Sequence, residues 1–288
     1  MIDLHIHSTF SDGSFTPSQL VKMALDSGLR GISLTDHDTT AGLKEFMKSA
    51  KEFLLPAIPG VEMSAEVNKG TMHILGYYID CDNKILANVL SEIRDGRHIR
   101  NKKILEKLQA NGFDINWDEV LAFAGTEVVG RPHFAMALVK KGYVPSKEEA
   151  FNNYLAKGKI AYVDRFRLTP QKSIETILAS GGLAVLAHPY TLELPLNILR
   201  EAIRELKNYG LSGMEVYYSE HTQQMTNDYM QICLEQNLIP TGGSDFHGEI
   251  NPSIKMGTGF GNLCVPDEIM KKLEFAVKDK RKVGMNVK

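Results

Sequence analysis

The chain has 288 residues, 43% hydrophobic and 24% charged, with a formal net charge of −2. That is the composition of an ordinary globular protein long enough for one large domain or a domain carrying an insertion, and it excludes a global positive field that would draw the chain to duplex nucleic acid or a membrane surface. Three widely spaced cysteines, Cys81, Cys233 and Cys264, argue against a disulfide framework or a cysteine-built zinc site and fit a reducing cytoplasm.

The N-terminus enters "IDLHIH" directly, so no signal peptide is expected, and no apolar run reaches the roughly eighteen residues that span a bilayer. "IDLHIH" reads as a first strand. "TPSQLVKMALDSG" follows as a helix, with Thr16 as N-cap, Pro17 at the first helical position and Gly28 past its end. "GISLTDHD" is a second strand, "LKEFMKSAKEF" a helix, "LLPAIPGVEMSAEV" holds a third strand and "TMHILGYYI" a fourth. From residue 82 to 158 the pattern becomes helical. "NKILANVLSEIRDGRHIRNKKILEKLQANG" reads as one long helix or two in tandem, closed by Gly112, and short helices follow in "NWDEVLAFAG", "RPHFAMALVKKG" and "SKEEAFNNYLAKG". The alternation then resumes through strands "LAVLAHP", "SGMEVYY" and "LIPTGGSDFHG", and the helix "VPDEIMKKLEFAVKDK" ends it. The expected architecture is α/β: a body of about seven βα units formed by 1–81 and 159–288, with 82–158 inserted as a helical cap.

Of nine histidines, His5, His7, His37, His73, His133, His188 and His247 fall at or near strand ends or in the cap. The C-terminal ends of strands in a parallel α/β barrel converge on one face, so such residues become neighbours. His5 and His7 share one side of a strand, and Asp12 lies on the loop beyond. With Glu62, and with Asp245 and His247 in "SDFH", the strand ends supply six imidazoles and three carboxylates. Each short motif has a bland reading, as a surface polar residue or a satisfied core histidine. Gathering all of them without cations would bury unpaired charge. Nine donors exceed what one ion takes, so three ions sharing ligands suit the count. Imidazole and carboxylate without thiolate select Mn, Fe or Zn over Cu(I) or Ca, with Mn favoured. Asp36 and Asp38, flanking His37, either orient that imidazole from behind or are plain surface residues.

"DLHIHSTFSDG", "LTDHD", "PGVEMS", "LAHP" and "GSDFH" together resemble, in order and over nearly the whole chain, the PHP (polymerase and histidinol phosphatase) metallophosphoesterases. The resemblance implies a distorted (β/α)7 barrel with a trinuclear centre. The first ion would take His5, His7, Glu62 and Asp245. The second would take Glu62, His73 and His188, and the third Asp12, His37 and His247, with Glu62 bridging two of them. The insertion after "HILGYYID" and the "GRPHFA" segment are most similar to one subgroup. It contains phosphatases of nucleoside 3′,5′-bisphosphates and 5′-nucleotides, and relatives that trim short RNA from the 5′ end. Histidinol-phosphate phosphatases share the metal motifs without this cap and come second.

The expected nucleophile is a metal-bridging hydroxide attacking phosphorus in line, with no side-chain nucleophile. No Gly-x-x-x-x-Gly-Lys-Ser/Thr loop is present, and "GTGFG" at 257–261 follows no clear strand-to-helix transition. Arg131 and His133 in "GRPHF" are the expected phosphate contacts, because the guanidinium fork suits phosphate. "RDGRHIRNKK" is the one dense basic stretch. Within it Arg97 and Arg100 are further candidates, against the plain alternative of a solvated helix face. His221 either protonates the leaving group or is a loop histidine. Tyr217 and Tyr218 either stack on a base or pack in the core, and Trp117 is read as core. The expected partner is a small phosphorylated substrate, nucleotide or short oligonucleotide, with no membrane and no obligate protein partner. Two other classes fit the sequence less well. A metal-stabilised binding module lacks the polymerase it would accompany, and an amidohydrolase-type deacylase lacks a bridging lysine at a strand end.

Overall fold

The computed structural model describes residues 1–123, 129–164 and 166–285. Its strands are β1 (Asp3–Ile6), β2 (Ile32–Leu34), β3 (Ala57–Ala65), β4 (Met72–Tyr77), β5 (Leu183–Leu186), β6 (Gly213–Tyr218) and β7 (Ile239–Gly243), lying side by side in sequence order. The sheet nearly closes on itself. Just beyond β7, the Asp245 N–H donates to the His5 carbonyl at 2.9 Å, and the His7 N–H donates to the Phe246 carbonyl at 2.9 Å. This is the expected distorted seven-stranded barrel, with one departure from a run of βα units. β4 pairs antiparallel with both β3 and β5, while the other pairings are parallel. Only residues 66–71 separate β3 from β4, too few for a crossover helix, so the chain turns back as a hairpin. The reversal has a consequence for the site. His73 stands near the start of β4, opposite Ser64 near the end of β3, and so reaches the barrel end where its neighbours finish.

The helices α1 (Pro17–Asp26), α2 (Leu43–Glu52), α7 (Pro170–Ala179), α8 (Leu196–Asn208), α9 (Gln223–Gln236) and α10 (Glu268–Met285) accompany the barrel. The start of α1 follows the sequence signal. The Thr16 hydroxyl accepts from the Gln19 N–H, and the Gln19 side chain accepts from the Thr16 N–H at 2.8 Å, closing a capping box. Leu20, Val21 and Ala24 turn inward from it.

Between β4 and α7 come α3 (Lys84–Ala110), α4 (Trp117–Leu121), α5 (Arg131–Lys140) and α6 (Lys147–Ala150), the last running into a π-helical turn at Phe151–Leu155. The tandem-helix alternative is settled: α3 is one continuous helix. Its first half puts Leu86, Leu90 and Ile93 into the apolar cluster beside the barrel. Its second half puts Ile104 and Leu108 into a separate cluster with Ile115, Val120, Phe134, Leu138 and Leu155. No helix among the described residues is long and apolar enough to cross a membrane.

Candidate metal centre

The strand ends bring the nine expected donors together at one mouth. Alternation on β1 sends His5 and His7 to the same side, and both are fully buried. Glu62, on β3, lies at the middle. Its Oε2 stands 3.3 Å from His5 Nε2, 3.3 Å from His7 Nε2 and 2.9 Å from His37 Nδ1. Its Oε1 stands 2.8 Å from His73 Nδ1 and 3.0 Å from His188 Nε2. Asp245 Oδ1 faces His7 Nε2 at 3.1 Å and His5 Nε2 at 3.3 Å. Asp12 faces His247 at 3.2 Å and His37 at 3.7 Å. Three overlapping groups could each hold an ion: His5, His7, Glu62 and Asp245; His7, Asp12, His37 and His247; and His37, Glu62 and His73. Compared with the division implied by the resemblance, His7 joins the Asp12, His37 and His247 group, and His37 joins Glu62 and His73 in the place expected of His188, which stands 3.0 Å from Glu62 Oε1.

The donor set fits cations on an observation of its own. His5 Nε2, His7 Nε2, His37 Nδ1, Asp12 Oδ1 and Glu62 Oε2 are all buried without a hydrogen-bond partner. Buried polar atoms are normally satisfied. Five orphans facing one another at the mouth of one barrel are what lone pairs converging on positive charge look like. The electrostatics agree. Burial opposes ionisation of Glu62, Asp12 and Asp245, yet the surrounding imidazoles hold all three carboxyls well below the usual range. Burial likewise opposes protonation of His7, but Asp245 and Glu62 outweigh it and raise the pKa to about 9. His37 rises to about 8 beside Glu62 and Asp12, against the same opposition from burial. For His73 burial wins, and its pKa falls to about 4. The imidazoles around them therefore favour the charged carboxylates.

Comparison with known proteins follows the same line. Residues 3–160 match the PHP domain family. The chain belongs to that family. A 3′,5′-nucleoside bisphosphate phosphatase from Chromobacterium violaceum is 33% identical over 247 residues, covering 85% of this chain and 87% of the relative. A 5′-3′ exoribonuclease from Haemophilus influenzae is 36% identical over 245 residues, 85% of this chain and 89% of the relative. Among solved structures, a Bifidobacterium adolescentis protein provisionally assigned as a metal-dependent phosphoesterase superposes with a TM-score of 0.83 at 30% identity, covering 94% of both chains. A Chromobacterium violaceum structure described as an amidohydrolase with bound sulfate and no metal gives 0.84 at 31% identity, covering 95% of this chain and 96% of that one.

The PHP barrel supports its donors with Glu215, which sequence reasoning missed, and Tyr218, which it read otherwise. Glu215, on β6 and fully buried, receives His5 Nδ1 at 3.1 Å and the His188 N–H at 2.8 Å. Tyr218 donates its hydroxyl to Asp245 Oδ2 at 2.8 Å, leaving Oδ1 to face His5 and His7. The signal for Glu215 was available: it is a lone acid inside the apolar run "GMEVYY". Tyr218 therefore serves a carboxylate rather than a base. Tyr217 lies away from the mouth against apolar side chains. Asp36 and Asp38 are both buried, not surface residues, and neither is hydrogen-bonded to His37. Asp36 accepts from the Ser8 N–H at 2.7 Å and from the Ser8 and Ser11 hydroxyls at 2.6 Å, fixing the loop between His7 and Asp12. Asp38 accepts from the Ser64 N–H at 2.9 Å and from Arg97. Asp38, His188 and Asp245 all have φ between 23° and 58°, a region L-residues seldom occupy and one that gathers at functional sites.

The candidate substrate residues separate into two sets. Arg97 on α3 is buried and reaches Asp38. Arg97 also lies close enough to His133 and Arg131 to lower the pKa of each, after burial itself, while Asp12 pulls His133 the other way. Arg97 thus lies within electrostatic reach of both Arg131 and His133, and His133 within reach of Asp12. Arg100 is buried on the same helix. Arg131 is partly committed within the cap: it donates to the Leu155 carbonyl at 3.2 Å and lies over the Phe151 and Tyr162 rings. His221 is displaced from its expected acid role. Its Nδ1 donates to the Val216 carbonyl at 2.9 Å, its Nε2 is buried, and Tyr190, Tyr218 and Tyr229 pack around it. Burial lowers its pKa, and its Nδ1 is taken up by the Val216 carbonyl. Trp117 packs beside Phe134 in the cap. "GTGFG" forms a turn whose Gly257 N–H donates to Asp3 at 2.7 Å.

Proposed function

We propose that this PHP chain hydrolyses a phosphate monoester of a nucleotide: a 3′,5′-bisphosphonucleoside, a 5′-nucleotide or a short 5′-phosphorylated RNA. The observation that carries the reading is the set of three overlapping donor groups, two of them sharing Glu62, with the buried Arg97 reaching Asp38 beside them. We assign three divalent ions to it, with manganese first and iron or zinc also suited to imidazole and carboxylate. When bound, such ions supply an activated water and neutralise the phosphoryl oxygens. His5, His7, Glu62 and Asp245 would hold one. Asp12, His37 and His247 would hold a second, and Glu62, His73 and His188 a third.

The rest is the chain's own work. Arg97, Arg131 and His133 bind and orient the phosphate from the cap, with Arg100 behind them, where burial strengthens each interaction. Asp36 holds the loop that carries Asp12, and Glu215 orients His5 through Nδ1, so the donors enter the reaction already placed. The unpaired cysteines agree with a cytoplasmic setting.

The test is phosphate release with Mn²⁺ from adenosine 3′,5′-bisphosphate, 5′-AMP, a short 5′-phosphorylated RNA, histidinol phosphate and a cyclic phosphodiester side by side. Turnover of the nucleotides, reduced at least a thousandfold by His7→Ala or His247→Ala on the order expected for losing an activated water, supports the reading. Preference for histidinol phosphate or the diester would keep the centre and replace the substrate.

A further inference from the structure

Near the middle of α3 stands Gly96, in a helix where a glycine weakens the backbone and calls for a reason. The reason is on its surface. A methyl group at Gly96 would sit 2.8 Å from the Cβ of Phe166, closer than side chains pack. Phe166 therefore rests on bare helix. Gly96 lies beside the inward stripe of α3, since Ile93 and Arg100, its neighbours at helical spacing, are buried. A phenylalanine against the inward stripe should be buried as well, yet Phe166 is 49% exposed. Half of it faces open space.

The chain that carries Phe166 runs on to the end of β3. Two residues on, the Leu168 carbonyl accepts from the Glu66 N–H at 2.7 Å, and Leu168 bridges to Ala65 at the end of β3. Ala65 follows Ser64, which pairs across the hairpin with His73 and donates its N–H to Asp38. Asp38 in turn receives Arg97, one residue from Gly96. Gly96, Arg97, Asp38, Ser64, Ala65, Leu168 and Phe166 thus close a ring on the His37–Glu62–His73 side of the centre.

We propose that Phe166, seated against Gly96, is the platform on which the substrate's base stacks while the phosphate enters the centre. The inference rests on the nucleotide reading above. An aromatic face gives affinity to any base without selecting among them, and a loss of one such face weakens binding by roughly tenfold or more. Arg97, beside it on the same helix, ties the position of the ring to the phosphate contacts. A ring held by a helix backbone, rather than by a flexible side chain, loses little freedom on binding.

The experiment compares KM and kcat for 5′-AMP and for ribose 5-phosphate, which carries the same ester without a base. Phe166→Ala and Phe166→Leu should raise KM for 5′-AMP roughly tenfold and leave ribose 5-phosphate unchanged. Phe166→Tyr should retain the wild-type values. Gly96→Ala, which displaces the ring without removing it, should resemble Phe166→Ala. Equal shifts for both substrates, or none for 5′-AMP, would overturn the platform while leaving nucleotide hydrolysis in place. A wild-type enzyme that favours ribose 5-phosphate over 5′-AMP would overturn both readings.

Discussion

At the scale of single residues, the centre depends on groups that no ion would touch. Tyr218 is the clearest. Its hydroxyl occupies Asp245 Oδ2, so Oδ1 alone is left facing His5 and His7. Removing that hydroxyl lets the carboxylate rotate and leaves one oxygen unpaired. Phe retains the ring that packs against His188 and His221, so the fold should survive. Tyr218→Phe is expected to weaken Mn²⁺ binding by about 10- to 100-fold, the usual cost of losing a partner behind a metal ligand. Isothermal titration of the metal-free protein checks it, and unchanged affinity would show Asp245 to be held by other means. The donors themselves were legible in the sequence because six imidazoles and three carboxylates recur at strand ends. Glu215 showed only as a lone acid in an apolar run, and the role of Tyr218 was not legible. A tyrosine in a strand is ordinarily core, and only the path of the next strand shows that an acid lies opposite.

At the scale of elements, α5 and the β3–β4 hairpin decide most. His133 sits in the first turn of α5 and accepts the Gly130 N–H through Nδ1 at 3.0 Å, so this turn needs a neutral imidazole. Protonation would convert the acceptor into a donor and add positive charge to the positive end of the helix. Burial lowers the folded-state pKa accordingly, with Arg97 acting in the same direction and Asp12 against it. The unfolded chain keeps the ordinary value near 6.5. Between those two values the unfolded state binds more protons, so the contribution of His133 is fully present above the ordinary value and is lost as pH falls from there toward the folded one. Urea midpoints at pH 7.5 and 5.5 should therefore fall more steeply for the native chain than for His133→Asn. Identical slopes would mean that the imidazole is not held neutral. The direction of β4 was not legible in its composition. "TMHILGYYI" is as apolar as its parallel neighbours, and the composition of a buried strand carries no direction. The shortness of the connection was the available clue.

At the scale of the whole molecule, the barrel and its centre form one thermodynamic system. Nine donors come from both ends of the chain, from His5 to His247, so a cation bound at the mouth holds together segments that part on unfolding. A ligand present at a thousand times its dissociation constant stabilises the folded state by about 4 kcal/mol. For a chain of this size that is on the order of ten degrees in melting temperature. Saturating Mn²⁺ should raise the midpoint of the chelator-treated protein by that amount, read by scanning calorimetry. His37→Ala should reduce the gain sharply, since His37 belongs to two of the three donor groups. An unchanged midpoint would mean that the donors bind too weakly to matter at the concentration used.

The sequence by itself determined the α/β class, the strands in order, the α1 cap at Thr16 and the chemical identity of the donors. Each of these is written in local spacing or in residue type, which physics reads over a few residues. Only the tertiary structure decided how those pieces meet. It reversed β4 so that His73 enters the mouth, buried Asp36 and Asp38 as supports, enclosed His221 among tyrosines and set Phe166 against Gly96. Those outcomes depend on strand direction and on contacts between segments more than two hundred residues apart. Such contacts are fixed by closure of the barrel and packing of the cap, and no local pattern encodes them.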